Sequence, residues 1–243
     1  MGLRLGILGG MGPLASAEFL KTIYELNMPS VEQGSPSCIL YSDPAFPDRT
    51  QTIRSGSGDA FITALVAALE ALCRFDVARV VITCITSHCF LPRLPDHLRR
   101  KLISLVDIVI EDILPTRKRY LLLGTDGARI ARIFEGHDQW ARVRPRVAVP
   151  SDQDQRMVHD TVYRLKRNER PEPLAARLAS LAGKYKADVL IAACTEFHLL
   201  AKHWKAAQNG ATAIEVLDPL LVLARDLKRF LGDAAQRRES RAC

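Results

Sequence analysis

Two stretches of this chain end in the same chemistry. ARVVITCITSHCFLP at 78–92 and ADVLIAACTEFHLLA at 187–201 each run through an apolar, strand-like segment to a cysteine and place a histidine four residues later, Cys84 with His88 and Cys194 with His198. Two thiols facing each other across a cleft can act as paired acid and base. One thiolate takes a proton from a carbon acid while the other, still protonated, delivers one to the opposite face. A helix N-terminus just after each cysteine is expected to favour the thiolate and lower the ordinary thiol pKa. A lone cysteine at a strand end is usually a small buried hydrophobe; here the duplication turns the reading toward chemistry. His88 and His198 are expected to pack or hydrogen-bond at the first turn after each cysteine. Cys38, Cys73 and Cys89 read as structural. The six cysteines, at 38, 73, 84, 89, 194 and 243, show no CxxC spacing, so neither a zinc ribbon nor a disulfide framework is indicated.

Strands and helices must bring those thiols together. The chain opens with an apolar run, Leu3 to Leu8, a turn Gly9-Gly10-Met11-Gly12, Pro13 at a first helical turn, and ASAEFLKTIYEL with apolar positions at helical spacing. Strands follow at 38–41, 78–83, 102–105, 120–124, 146–149, 187–192 and 214–217. Helices are expected at about 57–75, 94–101, 107–113, 128–134, 153–167 and 173–185, from Thr195, and from Asp218-Pro219 to about Leu231. This alternation predicts an α/β fold with parallel sheets. The echo, 110 residues apart, predicts two pseudo-symmetric, Rossmann-like halves: residues 1–105 with 213–243, and residues 106–212. Ligands of such sheets bind beyond the carboxyl ends of the strands. Cys84 and Cys194 both fall there, which puts the active site in the cleft between the halves.

The composition frames this reading. With 243 residues, 48% hydrophobic and 25% charged, the chain can bury one sizeable core or two small ones closely joined. It has no run of eighteen apolar residues, so no membrane span is expected. MGLRLGILGG lacks the apolar region and cleavage site of a secretory signal, and a cytoplasmic location is expected. The net charge of +7 is spread over separate basic clusters, and aromatics make up 6%. That argues against nucleic acid as a partner and for an attraction to small anions. The tail GDAAQRRESRAC reads as frayed.

The chain resembles the cofactor-independent aspartate/glutamate racemase family, in its aspartate racemase branch. The likeness rests on GILGGMGPLASAEF at 6–19, DPAFPDRT at 43–50, C-x-T-x-H at 84–88, CTE at 194–196 and LDP at 217–219. The resemblance implies a cleft enzyme without pyridoxal phosphate, metal or nucleotide. Its substrate would be a small carboxylate, and its assembly a homodimer. It implies Cys84 and Cys194 as the two bases, and Thr86 and Thr195 as holders of the substrate's α-carboxylate. Met11 and Gly12 would line the cleft, Arg49 and Lys166 would grip a side-chain carboxylate, and Glu196 would support the site. Arginine suits its role because its planar fork pairs bidentately with a carboxylate. Two positions depart from the family pattern: Ile85 replaces an asparagine, and Ala128 stands where threonine is common. Together they predict an altered or larger substrate, such as one lacking a free α-amino group.

Other readings compete. Gly10-Met11-Gly12-Pro13-Leu14-Ala15 fits a dinucleotide fingerprint, but Glu32 precedes the second strand and Asp43 lies too far along, so the ribose acid is missing. His88, Cys89 and Cys84, or His198 and Cys194, give too few ligands for zinc. A same-scaffold isomerase, decarboxylase or cyclase using the same thiols is the main alternative, and a silent carboxylate sensor would need neither thiol. The reading that follows is a racemase or epimerase moving a proton at the α-carbon of an acidic amino acid or related carboxylate.

Overall fold

The computed structural model describes residues 3–200, 204 and 214–232. Its strands fall into two sheets. β1 (Arg4–Gly9) lies between β2 (Ser37–Ser42) and β3 (Arg79–Ile82), with β4 (Leu102–Ile103) at the edge. β5 (Tyr120–Gly124) lies in the same way between β6 (Val147–Ala148) and β7 (Val189–Ala193), with β8 (Glu215–Leu217) at the edge. Every pairing is parallel, and the strand order of the first sheet is repeated in the second. Helices cover the faces, so central strands such as RLGILG and VLIAA are buried almost throughout and read as continuous apolar runs. The expected two-half α/β architecture is present.

The helices are α1 (Pro13–Leu26), α2 (Arg49–Ser55), α3 (Asp59–Cys73), α4 (Asp96–Arg99), α5 (Leu105–Ile113), α6 (Asp126–Ile130), α7 (Trp140–Val143), α8 (Asp152–Lys166), α9 (Pro171–Tyr185) and α10 (Pro219–Arg225). α1 begins at Pro13, whose missing N–H would have had no partner in a first turn. α5 starts earlier than expected because Ser104 caps it, accepting the Asp107 N–H at 3.1 Å.

Two expected helices are replaced by 3-10 segments, Ile85–Arg93 and Thr195–Leu200. In the first, Pro92 removes a donor and Pro95 disfavours helix at Leu94, so only the short α4 remains of the helix expected over 94–101. The C-terminal segment does not stay with one half. β8 pairs with β7 in the second sheet, whereas α10 packs on α1, which follows β1 of the first sheet, and on α5. Within the segment grouped from sequence with residues 1–105, β8 thus lies in the sheet of β5 to β7. Residues 233–243, with the tail read as frayed and Cys243, lie outside the described residues.

Three apolar clusters hold the fold. One crosses both halves, from Leu5, Ile7 and Phe19 through Ile85 to Ala193, Leu217 and Leu220. Each half has its own outer cluster, with Cys84 and Met11 in the first and Cys194 in the second. The β1–α1 turn depends on Gly10, which has a φ of 90° and whose added Cβ would stand 2.1 Å from the Asp43 carbonyl oxygen. Only glycine lets the loop after β1 press onto the loop after β2. That contact aims Met11 and Gly12 at the space between the sheets.

Candidate active site

Cys84 follows β3 and Cys194 follows β7, the equivalent strands of the two sheets, and both line one cavity between the halves. Met11, Arg49, Ile85, Thr86, Lys166, Thr195 and Glu196 line it with them. The cavity measures about 10 Å³, room for about one water molecule, so a ligand enters only as the walls part. A wider groove of about 820 Å³ lies near the amino end of β1, beside Met28 and Leu231, but among the described residues lining it Lys228 is the only ionisable one. The chemistry points to the narrow site.

The two cysteines have different neighbours. Arg49 lies beside Cys84 and donates to the Met11 carbonyl at 2.7 Å and the Pro47 carbonyl at 3.0 Å. Burial opposes the Arg49 charge, but Cys84, Asp48 and Glu196 around it outweigh that and keep the guanidinium charged. Cys194 instead donates its S–H to Glu196 Oε2 at 2.8 Å. Burial and the Glu196 carboxylate push its thiol well above the ordinary value, although Lys166 acts in the opposite sense. The expectation that a helix N-terminus makes this thiol acidic is therefore overturned. Only a short 3-10 segment follows the cysteine, and a carboxylate lies against the sulfur.

Glu196 is buried, and its other oxygen, Oε1, accepts no hydrogen bond. Lys166 Nζ lies 3.4 Å from Oε1 and 3.4 Å from the Met11 carbonyl. Burial works against the lysine charge, and Glu196 more than restores it. Gly12 does not bear on the thiols directly. An added Cβ there would sit 2.3 Å from Glu196 Oε1, so this glycine leaves the room that the carboxylate occupies. A carboxylate at that place also repels a phosphate from the N-terminus of α1, which disfavours the dinucleotide reading on charge grounds.

The threonines stitch the halves together. Thr86 Oγ1 and Thr125 Oγ1 are 2.9 Å apart, and the Thr195 hydroxyl donates to the Thr83 carbonyl at 2.9 Å. Thr125 also caps α6 by accepting the Ala128 N–H at 3.0 Å. Ala128 itself does not reach the cleft. It lines a separate crevice with Leu122, Gln155 and Phe134, so its departure from the family pattern does not reshape the thiol site.

Sequence reasoning missed four lining residues: Asp48, Thr50, Thr125 and Tyr163. Asp48 stood inside the quoted DPAFPDRT. Tyr163 lies one turn before Lys166 on α8, the spacing that puts two side chains on one face. The Tyr163 hydroxyl donates to Asp48 Oδ2 at 3.0 Å, and Asp48 Oδ1 accepts the Gln51 N–H at 2.9 Å. Burial raises the Asp48 pKa, but these bonds and the Arg49 and Lys166 charges outweigh it and hold the carboxyl below its usual range.

The paired histidines are structural braces. His88 Nε2 accepts the Leu105 N–H at 3.1 Å, which leaves Nδ1 to donate to the Cys84 carbonyl at 3.1 Å. Burial lowers its pKa to about 4, so the ring is neutral near pH 7. His198 joins Asp218 Oδ2 at 2.6 Å and Thr22 Oγ1 at 3.0 Å. Each histidine thus ties a cysteine segment to the start of a later helix, α5 or α10. Among the described residues no three potential metal ligands converge, and no helix is long and apolar enough to cross a membrane.

Comparison with known proteins bears on the fold and the family. The chain is 22% identical to the broad-specificity amino-acid racemase RacX of Bacillus subtilis over 211 residues, 82% of this chain and 88% of that protein. Its fold is similar to that of the Picrophilus torridus aspartate racemase, with a TM-score of 0.79 and 22% identity, covering 95% of each chain. It also matches the glutamate racemase of Francisella tularensis in complex with D-glutamate, with a TM-score of 0.62 and 12% identity over 95% of this chain and 81% of that one. At such identities the structural likeness speaks for the fold. The sequence pattern of the Asp/Glu/Hydantoin racemase family spans residues 8–227, and this chain belongs to that family.

Proposed function

We propose that the protein is an amino-acid racemase that moves a proton at the α-carbon between two thiols, with an acidic amino acid as substrate. The observation that carries this reading is the pair of cysteines at equivalent strand exits, lining one cavity with a guanidinium beside one and a carboxylate beside the other. In the resting protein Cys194 holds its proton against Glu196. The thiolate role falls to Cys84, with Arg49 as its counter-ion. Cys84 takes the α-proton from one face, and Cys194 gives its proton to the other, so the configuration inverts while the proton count of the site is unchanged.

The carbanion needs its negative charge spread into the α-carboxylate. The Thr86 and Thr195 hydroxyls, released from their contacts across the cleft as the halves part, supply donors for that carboxylate. Arg49, beside Cys84, and Lys166, beside Glu196, are the cations that would pair with a second carboxylate. Ile85 lines the cavity with an apolar side chain, which keeps water from the reacting carbon.

The test is proton NMR of L- and D-amino acids, aspartate and glutamate included, incubated in D2O with reduced protein. Loss of the α-proton signal with conversion of one enantiomer into the other is expected with the natural chain, and that conversion is absent with Cys84→Ser and with Cys194→Ser. Exchange at an unchanged rate in both variants rules out the thiol mechanism.

A further inference from the structure

A buried amino acid must have its ammonium group satisfied, because three N–H donors carrying a full charge cannot be left unpaired out of water. Ile85 supplies no polar atom. The carboxylates lining the cavity are Asp48 and Glu196. Both Asp48 oxygens are taken, one by the Gln51 N–H and the other by the Tyr163 hydroxyl. Glu196 Oε2 accepts from Cys194, which leaves Oε1 as the carboxylate oxygen without a hydrogen bond. It is buried in the cavity wall, and the missing side chain of Gly12 keeps it clear.

We propose that Glu196 Oε1 anchors the α-ammonium group of the substrate, and that Lys166 then exchanges Glu196 for the substrate's distal carboxylate. The inference rests on the racemase reading and deepens it by specifying the ligand: a zwitterion with a second acid, rather than a dicarboxylate alone. Charge supports the exchange. Lys166 and Glu196 already face each other at 3.4 Å, so a ligand carrying both signs can enter between them and leave each group paired. A ligand with only negative charge frees Lys166 but strands Glu196 beside it. The same anchor holds the α-carbon near Cys194, because the two oxygens of one carboxylate serve the ammonium and the thiol.

Binding measured by titration calorimetry on the intact, reduced protein tests this without relying on turnover. The ligand pairs are aspartate with succinate, glutamate with glutarate, and alanine with propanoate, each differing by the amino group. The natural protein is expected to favour the amino member of the acidic pairs by about 10- to 100-fold, the span of one hydrogen bond to a charged group. Glu196→Gln keeps an oxygen for the Cys194 thiol and replaces the other with an amide. It is expected to bring the preference within about threefold, mainly by weakening the amino ligands. Glu196→Asp, with the charge kept but drawn back by one methylene, is expected to fall between the two, and it serves if the Gln variant does not fold.

A natural protein that binds both members of each pair alike, or binds none of the ligands, overturns the anchor. So does a Glu196→Gln protein that weakens both members equally, which is the mark of a merely structural role. The two readings fail separately. Exchange of the α-proton with the preference intact in Glu196→Gln defeats the anchor and leaves the racemase. A preference lost in Glu196→Gln, with no exchange of any amino acid, keeps the anchor and defeats the racemase.

Discussion

Gly12→Ala changes one hydrogen into a methyl group, and the structure fixes where that methyl goes. Gly12 has a φ of 178°, an extended conformation open to any residue, so alanine introduces no backbone strain. The neighbour it meets is Glu196, whose Oε1 would lie 2.3 Å from the new Cβ where ordinary contact begins at 3.4 Å. The carboxylate must retreat by about 1 Å. Its pairing with Lys166, now 3.4 Å, then stretches toward the limit of an ion pair, and its 2.8 Å bond from Cys194 is strained or broken. A charge-assisted hydrogen bond of this kind contributes about 1.5–3 kcal/mol, so kcat/KM should fall by roughly 10- to 100-fold.

Stability should fall as well. The helix start costs about 1 kcal/mol and loss of the bond about 1.5–3 kcal/mol more, so Tm should drop by about 5–16 °C. The assay is the rate of α-proton loss in D2O for Gly12→Ala, Glu196→Ala and the double variant. If the methyl acts by displacing the carboxylate, it has little left to displace in the Glu196→Ala background, and the double variant should match Glu196→Ala. A full-sized additional loss in the double variant, or an unchanged rate in Gly12→Ala alone, refutes the reasoning.

Two further outcomes follow from the braces and the cleft edge. Burial holds the His88 pKa at about 4 in the folded chain against 6.5 when free. The unfolded chain therefore takes up the proton first, and stability present above pH 6.5 is lost as pH falls toward 4, by about 3 kcal/mol. His88→Gln should flatten that part of the curve of unfolding free energy in urea against pH, and an unchanged slope contradicts the assignment. Arg54 on α2 pairs with Asp126 on α6 at 3.0 Å, an ion pair between the halves beside the cleft. Both groups are partly exposed, so Arg54→Ala should cost at most about 1 kcal/mol and raise KM less than about fivefold, with the difference vanishing in high salt; a salt-independent effect removes the ion pair from the explanation.

The parts of this molecule that can be read along the chain are those set by neighbours in sequence. Strand exits at Cys84 and Cys194 stand out because parallel strands covered on both faces must be continuously apolar, and because the unit occurs twice. Turns defined by Gly10 and Pro13 are equally local. The two helices expected after the cysteines gave way to 3-10 segments, and in the first of them Pro92 and Pro95 are the visible cause. The acid–base character of Cys194 was misjudged for a different reason. The expectation rested on a helix end beside the sulfur, whereas Glu196, two residues on, sets its carboxylate against it.

Residues brought in by topology were the hardest to see. Thr125 arrives from the far sheet, and nothing near it in sequence signals Thr86 as its partner. Ala128 is another case: the family pattern draws attention to it, and the fold sets it in the wall of a crevice with Leu122 and Phe134.

The unlike surroundings of the two sulfurs bear on kinetics. Under the two-thiol reaction, each conversion returns the protein with its proton on the other cysteine, so the free protein alternates between two isomeric forms. The form with charge on Cys194 sets a thiolate against the Glu196 carboxylate and is the less stable of the pair. Relaxation between the forms runs downhill after conversion of one enantiomer and uphill after conversion of its mirror image. At saturation the two directions should therefore approach unequal maximal rates. Because enantiomers are equal in energy, detailed balance requires the Michaelis constants to be unequal in the same ratio, so the asymmetry is invisible at equilibrium and appears only in the approach to it.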